Sequence, residues 1–399
     1  MRRALLTLLA LLLLAGCTGT QPDPVPVVLA VGVSAPSGGE IQLYSQLIEQ
    51  DVASTQPIEE PIEGGVIPLG DFNPVALDVS DSASSSLLAA LVSDGSAFEL
   101  RLFDLSDVRV DQAPDFSSAT RVELPVPETA DGCFTDVAVS EQRVSSASHL
   151  PRYVAVFDEG CPGDAGVTIP DVIVYELSGT GAVDATDSVA ARNPTENVAP
   201  FGMSVEGNSI YYADDRATEG LGVARVTFQQ IIETTDDPER FGTVSDFDLF
   251  EEEDGDIALV AGGVAVISDG ELGLFNVGEG SGTNAVDTRT TANRLMEDPR
   301  GSVAFLVSWA GSELWVVAFD ELGENRQALR TTGSITDVVL EPTSRFAYAV
   351  HQGGIWRLDL LSGSGAREDR YPIEWAGTPT AVTLTYAFSA GQVDAEDVP

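Results

Sequence analysis

Lysine is missing from this chain altogether: its 20 basic residues are all arginine, set against 63 acidic ones, for a formal net charge of −43. A field of that sign repels nucleic acid and anionic lipid headgroups, and no run of arginines reverses it locally. Nucleic acid is therefore excluded as a partner. Histidine is nearly absent, with only His149 and His351. A three-histidine metal site is impossible, no Cys/His metal spacing occurs, and no cofactor is expected. His149 reads as an exposed loop residue and His351 as a polar residue at a strand end.

Other signatures of catalysis are missing too. No Gly-x-Ser-x-Gly elbow occurs; in the nearest approach, Gly202-Met203-Ser204-Val205-Glu206-Gly207, the second glycine comes one place late and the segment reads as a buried strand. Gly278–Gly282 opens no helix and holds no lysine, so it is no phosphate cradle. The run Glu251, Glu252, Glu253, Asp254, Gly255, Asp256 offers hard oxygens to a cation but lacks the alternating carboxylates of an EF-hand loop. It reads as a solvated turn between strands. With 63 acids in the chain, some carboxylate pair always lies at a workable separation, so no glycosidase pair stands out.

What is present starts at the amino terminus. Arg2 and Arg3 precede an apolar stretch from Ala4 to Leu14, followed by Leu14-Ala15-Gly16-Cys17. The stretch is well short of the ~20 residues that span a bilayer. The arrangement resembles a bacterial lipoprotein export signal, which implies cleavage before Cys17, acylation of its thiol and a place in the cell envelope. Thr18 follows where aspartate would signal retention at an inner membrane, so an outer membrane is expected where the cell has one. Loss of residues 1–16 leaves 18 basic residues against 63 acidic, a formal charge of −45. Residues 17–26 comprise the lipidated cysteine and a proline-rich tether reaching on the order of 25 Å. Of the three cysteines, Cys133 and Cys161 remain as an even pair in a disulfide-permissive compartment. They flank two expected antiparallel strands, Phe134–Val139 and Arg152–Phe157. The pair reads as a structural staple closing the stretch that holds the Ser140–Pro151 loop; two buried thiols are the alternative.

Beyond the tether the chain consists of short β-branched and aromatic runs separated by Gly, Asp, Ser and Pro, with hardly a helical stripe. An all-β fold follows, with one short helix-like stretch at Phe228–Ile232. The runs repeat. Asp298-Pro299-Arg300-Gly301-Ser302-Val303-Ala304-Phe305-Leu306-Val307 aligns without a gap on Glu341-Pro342-Thr343-Ser344-Arg345-Phe346-Ala347-Tyr348-Ala349-Val350, an offset of 43 residues. Each copy is followed by a strand whose tryptophan, Trp315 or Trp356, is placed to pack between sheets. The same grammar puts innermost strands at Val75–Val79, Phe134–Val139, Phe201–Val205, Asp246–Phe250, Asn293–Glu297, Ile335–Leu340 and Ala381–Ala387. The last has no chain left to complete its sheet. Val27–Val33, Ile41–Ile48 and Gly65–Leu69 lack an innermost strand, so joining the two ends closes a ring of seven blades and removes exposed edges.

Residues 27–388 thus resemble the seven-bladed β-propellers of the WD-repeat and YVTN type, most sharply over Asn293–Gly363, without the Gly-His and Trp-Asp pairs of eukaryotic WD blades. Residues 389–399 form an acidic tail. The family implies a fold and no single function. Expected is a monomeric, envelope-anchored, non-catalytic binding or assembly scaffold for a protein or glycan partner, held at the membrane by Cys17, with partner contacts in loops 140–151 and 180–200. The alternative is a lactonase-like or other hydrolase with its site in the central channel.

Overall fold

The computed structural model describes residues 27–386 apart from 47–59, 80–86, 110–112, 117–118, 124–133, 143–149, 160–161, 164–165, 168–170, 179–197, 217–219, 234–238, 245–254, 262, 277–280, 283–285, 299–300, 302, 320–325, 342–345 and 361–366. The strands form seven small antiparallel sheets arranged as a seven-bladed β-propeller. Numbered from the first complete sheet, the innermost strands are Asn73–Val79 (blade 1), Phe134–Val139 (2), Val198–Glu206 (3), Gly255–Val260 (4), Arg294–Leu295 (5), Ile335–Leu340 (6) and Thr378–Tyr386 (7). In six blades these match the expected positions. Blade 4 is a correction: its inner strand is Gly255–Val260, directly after the acidic run, and residues 246–250 lie outside the described residues. Asp256 is therefore a strand residue and not part of a solvated turn. Its strand, GDIALV, hydrogen-bonds Gly263–Ser268 from Gly255↔Ser268 to Val260↔Gly263, burying Ile257, Ala258, Leu259 and Val260.

The ring closes as expected. Val27–Ser34 pairs antiparallel with Thr378–Tyr386, from Val27↔Tyr386 to Ser34↔Thr378, and with Glu40–Gln46 on its other side. The sequence VVLAVGVS does not alternate because the strand is covered on both faces. Val28 and Ala30 pack towards Leu77 and Leu88 of blade 1, while Leu29, Val31 and Val33 pack towards Tyr348, Val350 and Ile355 of blade 6.

The repeat has a physical basis. Asp298 and Glu341 are 2% and 1% exposed, and each carboxylate accepts the backbone N–H five residues on: Asp298 Oδ2 from Val303 at 2.8 Å, Glu341 Oε1 from Phe346 at 3.3 Å. The acid before the proline thus fixes the turn that launches the second strand. Trp315 lies in the apolar seam between blades 4 and 5, and Trp356 in that between blades 5 and 6, as their spacing predicts. The segment Phe228–Ile232 is a one-turn helix between the third and fourth strands of blade 3, started by a reciprocal Thr227/Gln230 capping box and anchored by buried Phe228 and Ile231.

Candidate functional site

The seven inner strands surround a central channel with a cavity of about 550 Å³. At six of the seven seams, side chains on or beside those strands clasp one blade to the next. Asp78 Oδ2 of blade 1 accepts from Val139 N of blade 2 at 2.6 Å. Asp136 Oδ2 of blade 2 accepts from Met203 N of blade 3 at 3.2 Å. Ser204 Oγ of blade 3 accepts from Leu259 N of blade 4 at 3.1 Å and donates to Glu297 of blade 5. Asp256 Oδ2 of blade 4 accepts from Leu295 N of blade 5 at 2.8 Å. Asp337 of blade 6 accepts from Val382 N of blade 7, and Thr336 Oγ1 donates to Pro379 O at 3.0 Å. Thr380 Oγ1 of blade 7 donates to Pro74 O of blade 1 at 2.9 Å. The seam between blades 5 and 6 is crossed farther out, by Ile335 N donating to Gly311 O at 2.6 Å.

Three of these groups occupy matching places. In blades 2, 4 and 6 the carboxylates of Asp136, Asp256 and Asp337 each accept their own following N–H, from Val137, Ile257 and Val338 at 2.8, 2.9 and 2.7 Å. Each also accepts from the following blade, where the N–H belongs to the residue after Gly202, Arg294 or Ala381. Gly202, Arg294 and Ala381 thus sit at the level of the three aspartates. Gly202 adopts φ +79°, and a Cβ there would come 3.3 Å from Asp136 Oδ2. Arg294 projects beside Asp256, its Nη1 donating to Gly255 O and Asn293 O, both at 2.9 Å.

Burial dominates the electrostatics of this ring. It pushes Asp256 up to about 7, Arg294 and the Leu295 N–H opposing it while Asp136 and Asp337 add to it. Asp136 is pushed up to about 6 by burial against the opposing N–H groups of Met203 and Val137 and the Arg294 charge. Asp337 is likewise pushed up to about 6 by burial, opposed by the N–H groups of Val338 and Val382, with the Asp136 charge adding a smaller push. The three carboxylates keep a partial opening to the channel.

Of the acidic run singled out in the sequence, Gly255 and Asp256 line the channel, as do Gly202, Met203 and Val205 of the failed nucleophile motif and the turn acids Asp298 and Glu341. Cys17, Cys133, Cys161, His149, Glu251, Glu252, Glu253 and Asp254 lie outside the described residues. The two strands that the cysteine pair flanks do lie antiparallel, with Phe134 opposite Asp158. His351 ends the second strand of blade 6, 3% exposed, its Nδ1 accepting from Gly353 N at 3.0 Å and its ring edge-on to Trp356. Burial, and secondarily Arg370, lowers its pKa. It does not line the channel. Among the described residues, no three His, Cys, Asp or Glu side chains are grouped to hold a metal ion, and no helix is long and apolar enough to cross a membrane. Asp136 and Asp337 escaped the sequence reading, although Thr135-Asp136-Val137 and Thr336-Asp337-Val338 share a triplet inside apolar strands.

No family model matches the chain, and no curated protein matches it. Among solved structures it is similar to a protein from Lactobacillus plantarum, 13% identical with a TM-score of 0.52 over 90% of this chain and 99% of the other. It is also similar to a functionally unknown protein from Desulfotomaculum acetoxidans, 11% identical with a TM-score of 0.52 over 91% and 99%. At these identities the likeness is one of fold.

Proposed function

We propose that this chain is an envelope lipoprotein, acylated on Cys17, whose propeller serves as a non-catalytic binding or assembly scaffold for a protein or glycan partner. One observation carries the non-catalytic part: Asp136, Asp256 and Asp337 each hold two backbone N–H groups, one of them from the neighbouring blade. A carboxylate that clasps two blades is a poor proton shuttle, because moving its proton loosens the seam. The export-type amino terminus supports the anchored part, and the tether lifts the ring off the membrane. A Cys133–Cys161 bridge belongs to the same reading, as does partner contact in loops 140–151 and 180–200, the longest departures from the blade period.

The hydrolase alternative keeps one observation in its favour. Carboxylates raised to about 6 and about 7 in a cavity are the kind of group that general acid catalysis uses. Against it, no histidine lines the channel among the described residues. The test is to shorten each loop separately, then measure protein level and recovery of crosslinked envelope partners. Loss of partner at normal protein level supports the scaffold; unchanged recovery from both variants removes the loops from the reading.

A further inference from the structure

We propose that the central channel binds a small amino compound, its protonated amine held at Asp256 in the field of Asp136 and Asp337 and an oxygen acceptor held by Arg294. The site is distinct from any partner contact in the loops and does not depend on acylation of Cys17.

The cavity, about 550 Å³, is of the size that small-molecule sites take. Its charged girdle is unbalanced: three carboxylates face one guanidinium at one level of the ring. Each carboxylate has room for more than its two N–H donors, since an ionised carboxyl offers about four lone-pair positions. Arg294 engages two backbone carbonyls through Nη1, and its Nη2 donates to no acceptor among the described residues. Among the described residues the wall therefore presents unused acceptors and an unused donor together.

Ligand class follows from the charges and the lining. The described carboxylates are not grouped to wrap a bare metal ion, so a cation here meets them singly, and the room around it suits a charge carried on a larger body. Val75, Val339, Leu340 and Leu384, all half-buried, also line the cavity and give a carbon skeleton apolar surface. An amino-acid-like cation meets all three demands: ammonium for the carboxylates, carboxylate for Arg294, methylenes for the wall.

The test is calorimetric titration of the full mature chain at about pH 8, where the aspartates are ionised, with L-lysine, putrescine and acetate as probes. Expected are saturable binding of lysine, weaker binding of putrescine and none of acetate. Asp256→Asn is expected to weaken lysine and putrescine alike, by roughly tenfold or more, the effect of one lost charge-assisted contact. Arg294→Gln is expected to weaken lysine and leave putrescine undiminished. The proposal is overturned if neither amine binds the wild type at millimolar concentration, or if acetate binds as tightly as lysine. It is also overturned if both variants, shown folded by circular dichroism, keep wild-type affinity for lysine. If Asp256→Asn fails to fold, Asp136→Asn takes its place, and the wild-type titrations decide by themselves.

Discussion

Gly202 and Asp136 face each other across the seam between blades 2 and 3: the glycine at φ +79° leaves just enough space for Asp136 Oδ2 to accept the Met203 N–H at 3.2 Å. A side chain at 202 would meet that oxygen at 3.3 Å and also strain the backbone, which L-residues adopt at a cost of roughly 1–2 kcal/mol. Gly202→Ala is expected to lower unfolding stability by about 1–3 kcal/mol, read from urea melts. A loss under about 0.3 kcal/mol would mean that the close approach carries no weight.

Protonation of the channel gives the second prediction. Asp136, Asp256 and Asp337 have folded values of about 6, about 7 and about 6, above the ~3.9 of an unfolded chain. The folded state binds these protons more tightly, so their contribution is fully present below about pH 4 and is lost as pH rises through 6 to 7. The melting temperature is expected to fall between about pH 5 and 8, by a few degrees. Self-repulsion of the other acids adds to the fall, so the diagnostic is a difference. Asp256→Asn, which cannot ionise, is expected to melt below wild type at pH 5, where one N–H loses its acceptor, and to close that gap by pH 8. A gap independent of pH removes Asp256 from the effect.

Ring closure supplies a third. Val27–Ser34 is buried on both faces and bridges the last inner strand to the rest of blade 7. Deleting residues 27–34 uncovers two seams and a bare strand edge. The expected product is an aggregated or protease-sensitive chain; a soluble chain with native circular dichroism and an unchanged melting point would contradict closure by this strand.

The sulfur chemistry proposed for the amino terminus and blade 2 is checked by two counts. A fatty-acid analogue is expected to label the wild type and not Cys17→Ala. Thiol titration of the unfolded, unreduced mature chain is expected to find neither Cys133 nor Cys161 reactive, and reduction to destabilise the fold by about 3–4 kcal/mol, the entropic value for closing a loop of this order. Equal labelling, or two free thiols, defeats the respective claim.

The fold was legible because a propeller writes its turns into the chain. The acid of Asp298-Pro299 and Glu341-Pro342 recurs at a spacing of 43 since each must reach the N–H five residues later, and the tryptophans recur since each fills a seam. Blade 4 was misplaced because Asp246–Phe250 has a strand's composition while Gly255–Val260 is shadowed by the acids before it. The channel ring was hidden for another reason. Asp136 and Asp337 are two carboxylates among 63 acidic residues, and only backbone geometry shows that they cross a seam. Ser204 was similarly opaque: it sits in the failed nucleophile motif, and its hydroxyl joins blade 3 to blades 4 and 5.

The central claim, that the channel carboxylates clasp blades and do not catalyse, is tested most directly by running one panel of lactone, ester and glycoside substrates on wild type and Asp256→Asn side by side. The account predicts no turnover above background for either protein. Turnover by the wild type that Asp256→Asn abolishes while remaining folded would contradict it.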